Sequence, residues 1–300
     1  MSTVAQPLPG GPASSGDGVR SDLPGGQVRP PLSLRTELTR QAGRRRTRFT
    51  VGLLAVLPVV LLAALQLGGG GDNSGDQFSQ LADLARAGGV DFAFFALFVS
   101  SGFLLVVMVA LYCGDTVASE ASWGSLRYLL AAPVPRSRLL AMKLAAALVS
   151  AVATTVVMVA VALVVGTLRY GWHPLLLPAG GLLPAGTGLL RLAGVVAYVL
   201  VSLLSVAALA FLLSVSTDAP LGAVGGAVLA FILSGILDQI SALGELRTWL
   251  PTHDSEAFLG LLSEEVRADA IWRGAFVSTT YAMVLLALAW WRFLRKDVTS

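Results

Sequence analysis

The 300-residue chain is 55% apolar and only 13% charged, carries a formal net charge of +3 and has a mean hydropathy of +0.75. Soluble domains hold about twice that share of charged residues, so the composition excludes a water-soluble globular protein and indicates an integral membrane protein. A single cysteine, Cys113, excludes an intramolecular disulfide and argues against a thiolate metal cluster.

Residues 1–33 are rich in Pro, Gly, Ser and Asp and poor in large apolar side chains. They cannot bury enough surface to offset the entropy of ordering, and they lack the apolar core of a secretory signal, so they read as a disordered tail. In residues 34–48, Leu34, Leu38 and Ala42 recur at helical spacing with Arg40 and Arg44 elsewhere on the surface. That pattern suits a short helix lying in the membrane interface.

Windows of about 20 apolar residues cross a hydrocarbon core of about 30 Å as helices. Six occur, at residues 49–67, 92–113, 139–165, 189–215, 221–237 and 275–291. Pro220 suits the first turn of the fifth, and Gly222, Gly225 and Gly226 suit close helix contact. Arg35, Arg40, Arg44, Arg45, Arg46 and Arg48 precede the first window, while Arg127, Arg136, Arg138 and Lys143 lie between the second and third. Arg292, Arg295 and Lys296 follow the sixth. Basic flanks favour the cytoplasm, so the expected fold is an all-α integral membrane protein with six transmembrane helices, an N-terminal interfacial helix and both termini cytoplasmic.

Chemistry is scarce. His173 and His253 sit in loops with no Cys or His at ligand spacing, which makes a zinc site improbable. Ser100, Ser101 and Gly102 have no histidine in any span to act as base, and the glycine run 68–71 lacks the Lys-Ser or Lys-Thr of a phosphate-binding loop. Neither a cofactor nor a nucleic-acid partner is expected. The middles of the spans hold no Asp, Glu, Lys, Arg or His, which disfavours ion-coupled transport. Thr154, Thr155, Ser202 and Ser205 are the polar groups at depth, and hydroxyls there commonly bond back to their own helix.

Residues 114–143, GDTVASEASWGSLRYLLAAPVPRSRLLAMK, are an amphipathic charged segment between two spans. Val117, Ala121, Trp123, Leu126 and Leu130 can share one helical side, with Asp115, Glu120 and Arg127 polar. Pro133 and Pro135 then end the helix, and Arg136, Arg138 and Lys143 lead into the third span. Such a segment suits docking by a soluble partner.

Glu120, Gly124, Ser125, Leu126, Leu129, Leu130, Pro133, Arg136, Leu139 and Lys143 resemble the first-loop signature of type-2 ATP-binding-cassette (ABC) permeases. In that pattern an acid is followed by Gly-Thr-Leu, a Leu pair, Pro, Arg, Leu and Lys; here Ser122 replaces a second acid and Ser125 the Thr. The resemblance implies a connecting helix at 34–48 and a permease domain at 49–297. It implies a cytosolic ABC ATPase subunit seated on the 114–143 loop, a second permease subunit as homodimer or heterodimer, and ATP hydrolysis outside this chain. On that reading Glu120 and Arg127 make polar contacts with the ATPase, Trp123, Leu126 and Leu130 fill its groove beside Gly124, and Pro133 and Arg136 set the lever. The implied activity is export of a hydrophobic or amphiphilic drug, antibiotic, lipid or peptide across a prokaryotic plasma membrane. The resemblance implies that residues 238–273 cap the exit with short helices; residues 170–190, rich in Pro, Gly and Leu, either dip into the interface or cross it, and a crossing would put the C-terminus on the other side. Two other classes stay open: a non-transporting membrane scaffold or sensor, and a carrier driven by an ion gradient.

Overall fold

The computed structural model describes residues 34–67, 77–122 and 135–295. The expected disordered tail at 1–33 lies outside them, as does the glycine run at 68–71. The chain enters through α1 (Leu34–Gly43), bends at Arg44 and continues as α2 (Arg45–Leu67). The interfacial helix expected to reach residue 48 is therefore shorter, and Arg45 to Arg48 form the first turn of the first crossing. Pro58 is buried within α2, a position tolerated at membrane depth where neighbouring groups satisfy the freed backbone.

A short helix, α3 (Gln77–Leu84), was not expected; it precedes the second crossing, built from α4 (Gly89–Ser101) and α5 (Leu104–Ser122). The third crossing is α6 (Arg136–Tyr170), whose 35 residues extend about 52 Å, well beyond the hydrocarbon core. The fourth combines α7 (Ala185–Ser202) with α8 (Leu204–Ser216), the fifth is α9 (Pro220–Asp238), and the sixth is α10 (Asp269–Arg295). Among the described residues, six helical stretches are long and apolar enough to cross a membrane, in agreement with the sequence.

An antiparallel hairpin departs from the all-helical expectation: β1 (Leu175–Leu176) pairs with β2 (Leu182–Leu183), and Leu175 faces Leu183. Gly180 and Gly181 make its turn at φ +86° and +107°, backbone that a Cβ would strain. The hairpin is fastened to α4 by the Leu176 N–H donating to Asp91 Oδ1 at 3.0 Å. Residues 170–190 thus contain no helix of crossing length.

Helix α5 is the most buried crossing, whereas α2 and α9 turn most of their surface outward. Phe92, Leu97, Leu105, Met108, Met158 and Phe211 fill the interior. Glycines allow two close approaches. A Cβ on Gly89 would stand 2.7 Å from the Thr167 backbone nitrogen, and one on Gly114 would stand 2.9 Å from Val224 Cγ2. Gly222, Gly225 and Gly226 do not play that part as a set, since Gly225 faces open space. Gly114, from the opposing helix, makes the close contact with α9 instead.

Thr154, Thr155 and Ser202 do bond back to their own helices, to the carbonyls of Ser150, Ala151 and Val199, while Ser205 of α8 donates to the Ser202 carbonyl that ends α7. The segment after α9 forms short 3-10 helices at Ser241–Trp249, broken at Gly244, and at Ala257–Leu262. Phe258 and Leu262 are buried, but Leu246 and Trp249 face outward. Arg273 grips Asp254 through both carboxylate oxygens at 2.8 and 2.7 Å. Arg191 donates to the Leu261 and Ser263 carbonyls from α7. Replacing Gly89 by Val should therefore force α4 and α6 apart and destabilise the chain by about 1–3 kcal/mol. Gly102→Ala, placed in open space, should leave the melting temperature unchanged, with both read by thermal unfolding in detergent.

Candidate functional site

The start of α2, the end of α5 and the start of α6 meet at one end of the bundle, and there the acids of α5 find their partners. Asp115 accepts from Arg44 at 3.0 Å on Oδ2 and from Arg46 at 2.7 Å on Oδ1. Glu120 Oε1 lies 2.6 Å from Arg40 Nη2 and 2.6 Å from Lys143 Nζ. Glu37 completes the network, 3.7 Å from Arg40 and 3.6 Å from Lys143. Five residues along a helix is about 140° of rotation, so Asp115 turns to the bend between α1 and α2 while Glu120 turns to α1 and α6.

The two central charges are almost out of reach of water: Glu120 is 2% exposed and Lys143 3%. Burying either alone costs several kcal/mol, so each requires the other, and the pair fixes geometry more than it adds stability. Around it the backbone is also secured. Ser214 of α8 accepts the N–H groups of Val117 and Ala118 at 3.0 Å each, and Ser122 bonds to the Ser119 carbonyl.

Residues 114–122, expected to form part of an exposed docking segment, instead continue α5, with 114–120 buried inside the bundle. Glu120 is accordingly engaged by cations of its own chain and does not present its carboxylate outward. Arg136 opens α6 with an exposed side chain, next to Pro135, which precedes the helix. Trp123, Gly124, Leu126, Arg127, Leu130 and Pro133 lie outside the described residues.

Sequence reasoning treated Arg40, Arg44 and Arg46 as markers of topology and did not single out Ser214. A usable signal was present: Asp115 and Glu120 end an apolar span, and an acid drawn into a bundle needs a cation. At the opposite end, His253 donates through Nδ1 to Asp238 Oδ1 at 2.6 Å, so it is not an isolated surface histidine. Among the described residues, no three His, Cys, Asp or Glu side chains gather as metal ligands.

Residues 77–299 match the model of the family described as a protein of unknown function, DUF2705. The chain belongs to the DUF2705 family. Its match begins at α3 and takes in Asp115, Glu120, Lys143 and Ser214, whereas Arg40, Arg44 and Arg46 precede it. No curated protein matches the chain. Of the ion-pair network, Asp115, Glu120 and Lys143 therefore fall within the DUF2705 match, and Glu37, Arg40, Arg44 and Arg46 precede it.

Leaving Lys143 buried with only Glu37 beside it, at 3.6 Å, should be more damaging than removing both charges. Glu120→Gln is expected to destabilise by about 3–5 kcal/mol, and the Glu120→Gln, Lys143→Met double variant by less than the sum of its parts. Thermal melts of the four-member cycle in one detergent check the sign.

Proposed function

We propose that this DUF2705 protein is the transmembrane permease subunit of a type-2 ABC transporter, exporting a hydrophobic or amphiphilic substrate. A separate cytosolic ATPase docks on the 114–143 loop and hydrolyses the ATP, and a second permease subunit completes the pathway. The end bearing the arginine network then faces the cytoplasm of a prokaryotic cell, with α1 as the connecting helix.

The observation that carries this reading is the bracing of the loop. Its two stems, α5 and α6, are joined by Glu120 and Lys143, and α1 is tied to both through Arg40 and Glu37. Force applied to residues 123–134 has stiff elements to act on, since both stems run on as helices into the interior. On this reading Leu126 and Trp123 meet the ATPase, while Glu120 transmits the movement rather than touching the partner. Closure of the ATPase pair then moves α1, α5 and α6 together, which changes access between the two ends of the bundle.

Copurification with a soluble protein bearing a phosphate-binding loop and an ABC signature is the direct test. Leu126→Glu should abolish that copurification and substrate-stimulated ATP hydrolysis, leaving membrane insertion and melting temperature as in the wild type. Orientation is checked in parallel by thiol labelling in a Cys113→Ala background. Ser137→Cys should react only after the membrane is permeabilised and Leu246→Cys in intact cells; the reverse pattern overturns the assignment.

A further inference from the structure

The second and fourth crossings are both interrupted, at Gly102 and Phe103, which are exposed, and at Leu203, which is buried. The two interruptions face a common notch. Ser101, Gly102, Ser202 and Leu203 form one side of it, and Ser255 and Glu256, from the loop after α9, form the other. Its volume is about 30 Å³, enough for one small polar group. Next to it lies an apolar groove of about 290 Å³ between α8, α9 and α10. Phe231 and Pro251 wall both spaces, so notch and groove adjoin.

The polarity of the notch is weighted toward acceptors, with the Ser255 hydroxyl able to donate as well as accept. Ser101 Oγ donates its hydrogen to the Phe98 carbonyl at 2.8 Å, and Ser202 Oγ donates to the Val199 carbonyl at 2.8 Å. With their hydrogens committed, these hydroxyls can offer only lone pairs to a ligand. Glu256, an exposed residue of the same lining, adds a carboxylate. Asp238 and Asp254, the neighbouring acids, are engaged by His253 and Arg273, whereas Glu256 enters no ion pair among the described residues. The notch therefore accepts hydrogen bonds and attracts positive charge. A primary ammonium, with three donors and a compact charge, fits both its size and its chemistry. The groove beside it is lined by Val206, Leu209, Ala227, Leu233 and Leu285 and takes an apolar body. It is about twice the volume of a cavity known to hold benzene.

We propose that notch and groove together form a binding site for a cationic amphiphile, with a primary ammonium held between Ser101, Ser202 and Glu256 and the hydrocarbon in the groove. This rests on the permease reading and narrows its substrate class. A phospholipid is the less suitable occupant, because its phosphate would approach the Glu256 carboxylate.

The test is equilibrium binding of radiolabelled dodecylamine to the full chain in lipid nanodiscs, with empty nanodiscs subtracted. Dodecanol, dodecyltrimethylammonium and phosphatidylethanolamine serve as competitors. Dodecylamine should bind saturably, Glu256→Gln should weaken it about tenfold, as expected for loss of a charge-assisted hydrogen bond, and Ala230→Phe, at the exposed edge of the groove, should remove binding. Dodecanol or the trimethylammonium competing as well as the amine, unchanged binding by Glu256→Gln, or displacement by phosphatidylethanolamine at equal concentration would each overturn the site. The assay needs no ATPase, so the two readings fail separately. Amine binding by a chain that recruits no ATPase retains the site and sinks the permease reading; ATPase-driven transport without amine binding does the opposite.

Discussion

Lys143 and Glu120 meet at 2.6 Å in a position that water hardly reaches, and the arrangement of the surrounding helices follows from keeping them together. A lone charge there would cost more than a typical side-chain contact returns, so α5 and α6 cannot slide past each other or separate at this end without a large penalty. Arg40 extends the same constraint to α1, and the Asp115 fork extends it to the first turn of α2. Four elements that share no secondary structure are thus tied by three carboxylates and four cations. In a membrane, where hydrophobic burial does little to drive helices together, such polar contacts carry unusual weight in setting register.

The opposite end is organised by a different device. Arginines there hold irregular backbone: Arg273 fixes Asp254 and Arg191 collects the carbonyls of the second 3-10 helix. Each guanidinium satisfies more than one acceptor: Arg191 takes backbone carbonyls that would otherwise be left unpaired, and Arg273 takes both oxygens of the Asp254 carboxylate. The interrupted crossings lie beneath this cap, and serine hydroxyls at both interruptions return their hydrogens to carbonyls of the preceding turn. The charge-locked end and the cap over the broken helices thus lie at opposite ends of the molecule.

Much of the architecture was legible in the chain. Long apolar windows are a direct consequence of hydrocarbon thickness, so the six crossings emerged from hydropathy alone, and Pro220 marked the start of α9 as its missing N–H predicts. The hydroxyls of Thr154, Thr155, Ser202 and Ser205 went back to carbonyls of the preceding turn, as hydroxyls at depth commonly do, and Thr154 also meets the Tyr112 hydroxyl. The site was less legible. Periodicity placed Val117 and Ala121 on one side of a docking helix, yet 114–120 is buried on every side, because Gly114 admits α9 and Ser214 caps the backbone from α8. Those partners lie roughly a hundred residues away in sequence, and helical spacing holds no information about them.

The sequence by itself determined the solvent: its composition and its apolar runs place the chain in a membrane with six helices, because no other structure buries such segments with their backbones satisfied. The division of the arginines was also visible in it, as a flank rich in positive charge. What only the tertiary structure decided is the use of that charge. Arg40, Arg44 and Arg46 are fasteners of Asp115 and Glu120, the Glu120 carboxylate is turned inward, and the breaks at Gly102 and Leu203 open onto one notch. Pairing energies depend on distance and burial, and both are set by how distant segments pack, which local sequence does not encode.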